Sequence, residues 1–174
     1  GYAGRVASGK FKAGDSVTIL PSQRTTTIDN IYQFETVVDE ADTRQSVVIT
    51  LTDDVDVSRG DMIVKTGEEP TQRKELNADI CWMDNEPMNG SKTYLLQSGT
   101  SLSKAKIAAV EYIKIPSTLE QVAATSIRMN EIARVRIKTA KPVATDSYEE
   151  NASNGSFILI DEYSNNTVAV GFVN

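Results

Sequence analysis

GRVASGKFKAGDSVTIL, residues 4–20, admits two readings, and the choice between them sets the fold. Gly4, Gly9 and Lys10 match the phosphate-cradling pattern G-x-x-x-x-G-K-[ST], which would open a helix in an α/β nucleotide-binding protein. Phe11, however, stands where a Ser or Thr hydroxyl would ligate Mg²⁺. A phosphate loop must also lead into a helix whose N-terminus faces the anion, and Gly14 would break that helix in its second turn. The residues after Asp15 are Ser16-Val17-Thr18-Ile19-Leu20, alternating and β-branched. The stretch reads as a strand over 4–8, a tight Lys12-Ala13-Gly14-Asp15 turn and a returning strand. The β reading wins.

The rest of the chain extends that reading. Short apolar runs at period two recur over 16–20, 25–34, 46–51 and 61–65. Turn signals separate them at Gly14-Asp15, Pro21-Ser22, Asp39-Glu40-Ala41-Asp42, Asp53-Asp54 and Arg59-Gly60-Asp61. This spacing predicts an all-β barrel or sandwich. Gly67 to Lys74 is polar and contains Pro70, which marks a boundary. Further strands are expected over 75–83, 92–97, 102–114, 131–139, 155–161 and 167–172. The one helical possibility is 119–124. The expected organisation is all-β: two tandem small antiparallel β barrels, 1–70 and 71–174.

Composition narrows the function. With 40% hydrophobic and 24% charged residues among 174, the chain is an ordinary globular protein. A net charge of -6 argues against nucleic acid as a partner, since phosphates reward a basic surface. No apolar run approaches the ~20 residues that span a bilayer, so no membrane is expected either. There is no histidine, which removes the commonest general base and metal ligand. The single cysteine, Cys81, excludes an intrachain disulfide and a cysteine-based metal site. It reads as a small hydrophobe in a strand, and this cysteine usage fits a cytoplasmic protein.

Candidate chemistry is sparse. Arg134, Arg136 and Lys138 alternate with Ala133, Val135 and Ile137, so three cations share one strand face. An acidic chain can supply carboxylates across the ladder, and the stripe reads as a solvated, paired face. The pairs Asp53-Asp54, Glu68-Glu69 and Glu149-Glu150 sit in turn-like segments. Adjacent strand residues point to opposite faces, so such pairs do not converge on one substrate atom. No nucleophile, base and orienting group come together. Catalytic, cofactor-binding and metal residues are therefore all expected to be none, and the residues point to a binding or assembly module.

The second half carries a more specific pattern. Trp82-Met83-Asp84-Asn85-Glu86-Pro87-Met88, followed by Gly90, Lys92 and Tyr94, resembles a stretch of the GTP-binding large subunit of bacterial sulfate adenylyltransferase, an elongation factor Tu-like GTPase family. Asn130-Glu131-Ile132-Ala133-Arg134-Val135 is similar to that family's NEIGRV segment. Phe157 to Asp161 and Asn166 to Gly171 resemble its closing strand pair. The resemblance implies barrels like domains 2 and 3 of elongation factor Tu, with the first truncated at its N-terminus. Its opening strand and a GTPase domain holding GTP and Mg²⁺ would lie upstream. The first barrel would then be open and less protected, with an edge that allows a homodimer. The family makes adenosine 5'-phosphosulfate and pyrophosphate from ATP and sulfate, driven by GTP hydrolysis, so this fragment alone would be inactive. The implied partners are the small subunit and the chain's own N-terminal GTPase domain. Two alternatives stay open: tRNA-binding barrels of a translation elongation factor-type GTPase, and a stand-alone barrel adaptor.

Overall fold

The computed structural model describes residues 1–174 and contains no helix. The chain divides into two compact units, Gly1–Pro70 and Thr71–Asn174.

In the first unit the strands are β1 (Tyr2–Arg5), β2 (Lys10–Lys12), β3 (Ser16–Leu20), β4 (Arg24–Gln33), β5 (Thr36–Val38), β6 (Glu40–Asp42), β7 (Ser46–Leu51) and β8 (Met62–Lys65). The main sheet runs β1-β7-β4-β3-β8, with β5 beside β4 and a separate β2–β6 pair. No pairing joins β1 to β8. The core gathers Val6, Val17, Ile28, Ile31, Val47 and Ile49. Ile28 and Ile31 both point inward although they are three residues apart. A register shift between Ile28 and Asn30 makes this possible, because the extra residue of a bulge resets the alternation.

One turn design recurs four times. In Lys12–Asp15, Asp42–Gln45, Ser58–Asp61 and Arg128–Glu131, the fourth residue's side chain accepts the first residue's N–H at 2.7–2.9 Å. The fourth N–H donates back to the first carbonyl at 3.0–3.1 Å. The third position has positive φ in every case: Gly14, Arg44, Gly60 and Asn130. Glycine occupies it at no steric cost in two of the four. The Gly-Asp theme visible in the sequence is thus one member of a wider set.

The second unit comprises β9 (Thr71–Trp82), β10 (Tyr94–Ser98), β11 (Ser101–Lys114), β12 (Gln121–Val122), β13 (Ile132–Thr145), β14 (Ser156–Asp161) and β15 (Thr167–Val173). Its sheet runs β10-β14-β15-β9-β13-β11, and β11 pairs back with β10. Six strands therefore close into an antiparallel barrel, with β12 appended to β11. Register shifts in β11 (Ile107/Ala109 and Val110/Tyr112) and in β13 (Lys138/Val143) bend these 14-residue strands around it. Leu76, Ala78, Ile80 and Trp82 alternate inward from β9, against Val135 and Ile137 of β13 and Leu159 of β14.

Gly171 marks the tightest approach in that core, since a Cβ there would stand 2.2 Å from Phe157 Cζ. Gly171→Ala is expected to destabilise the second unit by about 1–3 kcal/mol through overpacking. Phe157→Leu should recover part of the loss in the double variant. Urea melting of the three variants checks this, and equal stability of Gly171→Ala and the parent would contradict it.

Four expectations need correction. The strand expected over 4–8 ends at Arg5, and β3 does not return along it, because β1 pairs with β7 while β3 pairs with β4 and β8. Residues 119–124 are not helical: Val122 pairs with Ile113 and Gln121 with Lys114, and Leu119 takes φ 60, outside the helical region. Residues 39–42 are more than a turn, because Ala41 is buried and pairs with Phe11. The polar stretch 67–74 is not wholly linker, since β9 already starts at Thr71.

Candidate interaction surface

The phosphate-loop lookalike has a structural use. Lys10 lies on β2 and pairs with Glu40 at 2.8 Å and Asp42 at 3.3 Å on β6. The hydrogen bond to Glu40 raises the Lys10 pKa and lowers that of Glu40. Phe11 packs partly buried against the first core.

The basic stripe is paired as well. Arg134 donates to both oxygens of Asp79 at 2.6 and 3.0 Å, directly across the ladder. Arg136 and Lys138 approach Glu75 at 3.7 and 4.0 Å. The Asp79 hydrogen bond raises the Arg134 pKa. Among the acid pairs, Glu69 is exposed as expected, but it also fastens a loop by accepting Gly67 N–H at 2.9 Å and the Thr18 hydroxyl at 2.8 Å. Backbone donation from Gly67 lowers its pKa. Asp53 likewise accepts the Thr26 hydroxyl at 2.8 Å. Cys81 is half-buried on the face opposite Ile80 and Trp82, not a core residue.

The Trp82–Tyr94 stretch closes one end of the second barrel. Trp82 ends β9 with 1% exposure, its ring edge-on to Tyr94 at 5.7 Å. Its Nε1–H donates to the Glu86 carbonyl at 2.8 Å, which folds the loop back over the indole. Met88 and Ile127, both buried, plug the barrel end from two different loops. Met88 N–H donates to Ile127 O at 2.8 Å and the Ser126 hydroxyl donates to Met88 O at 3.0 Å, so the loops hold each other. Between the 83–93 loop and the start of β10 and end of β14 lies a cleft of about 240 Å³ lined by Trp82, Asp84, Glu86, Lys92, Tyr94 and Asp161.

Inside the cleft, Lys92 donates to Asp161 Oδ2 and lies 6.0 Å from the Tyr163 ring centroid. Asp161 also accepts the N–H groups of Tyr163 at 2.8 Å and Ser164 at 3.2 Å. Lys92 foremost, then these donors, holds the Asp161 carboxyl below the ordinary carboxylate range, and the same pair raises Lys92. A lowered carboxylate contributes stability that is full above its unfolded pKa and fades as pH falls through the folded one. A raised lysine loses its contribution only as pH rises through its folded pKa, above 10.5. Asp161→Asn should therefore lower the melting temperature at neutral pH, and the gap to the parent should shrink on acidification. A gap that widens toward low pH would contradict this.

Antiparallel alternation brings the ends of β9, β11 and β14 and the starts of β10, β13 and β15 to this same barrel end. Exposed large apolar side chains gather there: Met83, Leu119, Val122, Met129 and Tyr163, the last at 88% exposure. The opposite end has only Leu102 and Tyr148. Asp84, Glu86, Glu120 and Glu131 give this end an acidic rim against Lys92 and Arg128. No cluster of acidic or cysteine residues there could hold a metal. Exposed apolar side chains, two of them methionines, set among charged ones make this end the candidate surface for a protein partner. The sequence singled out residues 82–94 but not Leu119, Val122, Met129 or Tyr163. Their only signal was large apolar side chains inside otherwise polar turns.

Several known proteins resemble this chain. Sulfate adenylyltransferase subunit 1 of Aliarcobacter butzleri is 39% identical over 173 residues, 99% of this chain and 37% of that protein. The same subunit of Bacteroides fragilis is 40% identical over 99% of this chain and 36% of its own length. The bifunctional enzyme CysN/CysC of Mycobacterium tuberculosis is 42% identical over 99% of this chain and 28% of its own length. The chain thus spans 28–37% of the length of these curated relatives. A solved structure of Sup35 complexed with GDP matches with a TM-score of 0.85 at 20% identity, covering 98% of this chain and 42% of that one. That likeness shows the translation-factor barrel fold. The family model described as GTP-eEF1A C-terminal domain-like matches residues 75–174, the whole closed barrel save its first four residues. By that match the chain belongs to the GTP-eEF1A C-terminal domain-like family.

Proposed function

We propose that this chain supplies the non-catalytic barrels of the GTP-binding large subunit of a sulfate adenylyltransferase. That enzyme joins ATP and sulfate into adenosine 5'-phosphosulfate and pyrophosphate, with GTP hydrolysis driving the reaction. The barrels dock the small subunit and transmit the state of a GTPase domain that holds GTP and Mg²⁺. The docking surface is the end of the second barrel bearing the cleft. The observation that carries this reading is the concentration of Met83, Leu119, Val122, Met129 and Tyr163 at that end. Its acidic rim suits a partner whose apolar patch is ringed by basic side chains. Coupling works if the nucleotide states of the GTPase domain make different contacts with the barrels, for only differential affinity can shift an equilibrium. The chain by itself carries no reaction step.

Titration of the chain with the small subunit of a sulfate adenylyltransferase, and separately with tRNA, at low and high salt tests the proposal. Saturable binding to the small subunit, with tRNA binding absent or lost at high salt, is expected. Tight tRNA binding with no small-subunit complex would replace the proposal with an elongation-factor role.

A further inference from the structure

The sequence holds two Asn-Gly pairs, Asn89-Gly90 and Asn154-Gly155, and the structure treats them in opposite ways. The backbone nitrogen after an asparagine can attack the side-chain carbonyl, and glycine, lacking Cβ, hinders that attack least.

At Asn154-Gly155 the reaction is blocked twice. Gly155 N–H donates to Asn151 O at 2.8 Å, so the nucleophile is engaged. The Asn154 amide, the leaving group, donates to Asp146 Oδ2 at 3.0 Å. Gly155 is also buried, and a Cβ there would stand 2.5 Å from Tyr148 Cα, so the backbone has no room to rotate.

At Asn89-Gly90 every condition reverses. Both residues are exposed, and a Cβ at Gly90 would meet nothing within 4 Å. Gly90 N–H donates to no group of the chain. Asn89 Oδ1 accepts Ser91 N–H at 2.9 Å. That donor faces the oxygen on which negative charge develops during attack, as in an oxyanion hole.

We propose that Asn89 is a site of spontaneous deamidation at the rim of the cleft, while Asn154 is protected. Gly90 N bonds to Asn89 Cγ and loses its proton to water. The Cγ–Nδ2 bond breaks, and Nδ2 leaves as ammonia with a proton returned from solvent. Water then opens the cyclic imide, at Cγ to give aspartate or at the main-chain carbonyl to give isoaspartate. The sum is amide plus water to carboxylate plus ammonium. Either product adds one negative charge beside Asp84, Glu86 and Asp161. In the isoaspartyl product the Asn89 carbonyl oxygen, which accepts Lys92 N–H at 3.1 Å and the Tyr94 hydroxyl at 3.4 Å, becomes part of a free carboxylate. The modification thus alters both the charge and the backbone path of the candidate docking surface.

The test incubates the whole chain at mildly alkaline pH and follows isoaspartate by enzymatic methylation and peptide mass mapping. Conversion at position 89 with none at 154 is expected while the chain is folded, and conversion of both in urea. Gly90→Ala should slow position 89 about tenfold, the rate equivalent of ~1.4 kcal/mol of barrier. Equal conversion at both sites in the folded chain would overturn the proposal, as would a position 89 that reacts in urea and stays intact when folded.

Discussion

Trp82→Ala is expected to destabilise the second unit by about 3–5 kcal/mol, the range for emptying a buried large aromatic site. Three losses add at this position. The indole is 1% exposed, so its removal leaves a cavity in the barrel core. Its edge-on contact with Tyr94 at 5.7 Å disappears. The Glu86 carbonyl loses the Nε1–H that fixes the 83–93 loop at 2.8 Å. Trp82→Phe keeps most of the volume and loses the donor to the exposed Glu86, so it should cost less, about 0.5–1.5 kcal/mol for the lost hydrogen bond. Urea melting followed by circular dichroism measures both. A loss below about 1 kcal/mol for Trp82→Ala would mean that the barrel end closes without the indole.

The second large effect concerns association. Met83 and Met129 are each about half exposed, so replacing both by Asp should leave the barrel folded. Charges at the centre of a desolvated patch remove hot-spot contacts worth about 2 kcal/mol or more each. Met83→Asp with Met129→Asp is therefore expected to weaken the small-subunit complex by about 30-fold per position and roughly 700-fold together. Arg136→Ser, on the paired outer face of β13, serves as the control and should leave affinity within about twofold, as rim and surface positions do. Calorimetric titration of the three proteins checks the pair of expectations, and the reverse ranking would move the docking surface onto the β13 face.

Much of this fold is legible in the sequence because the barrels bury one face of each strand. The run Ser46–Leu51 is readable residue by residue, since Val47 and Ile49 alternate with more exposed neighbours. The pairing of Arg134 with Asp79 also accords with an acidic chain whose cations share a strand face. Short strands escaped because their pattern is charged: β2 and β6 are three residues each, and only Phe11 and Ala41 face the core. At 119–124, local helical character lost to the ladder between β12 and β11 and to Leu119 N–H donating to Ile115 O at 2.8 Å across a turn with positive φ. The candidate surface was only half readable. Residues 82–94 are contiguous, whereas Leu119, Val122, Met129 and Tyr163 reach the same barrel end only through strand order, which pairing between distant segments decides. Their exposure is a tertiary property.

Amide hydrogen exchange of the chain, alone and saturated with the small subunit, tests the docking claim most directly. Slowed exchange should fall on 83–92, 119–131 and the Tyr163 turn, with little change over 134–138 and 1–66. A complex that forms while those three segments exchange as in the free chain, and that protects the first unit or the β13 face instead, would contradict it.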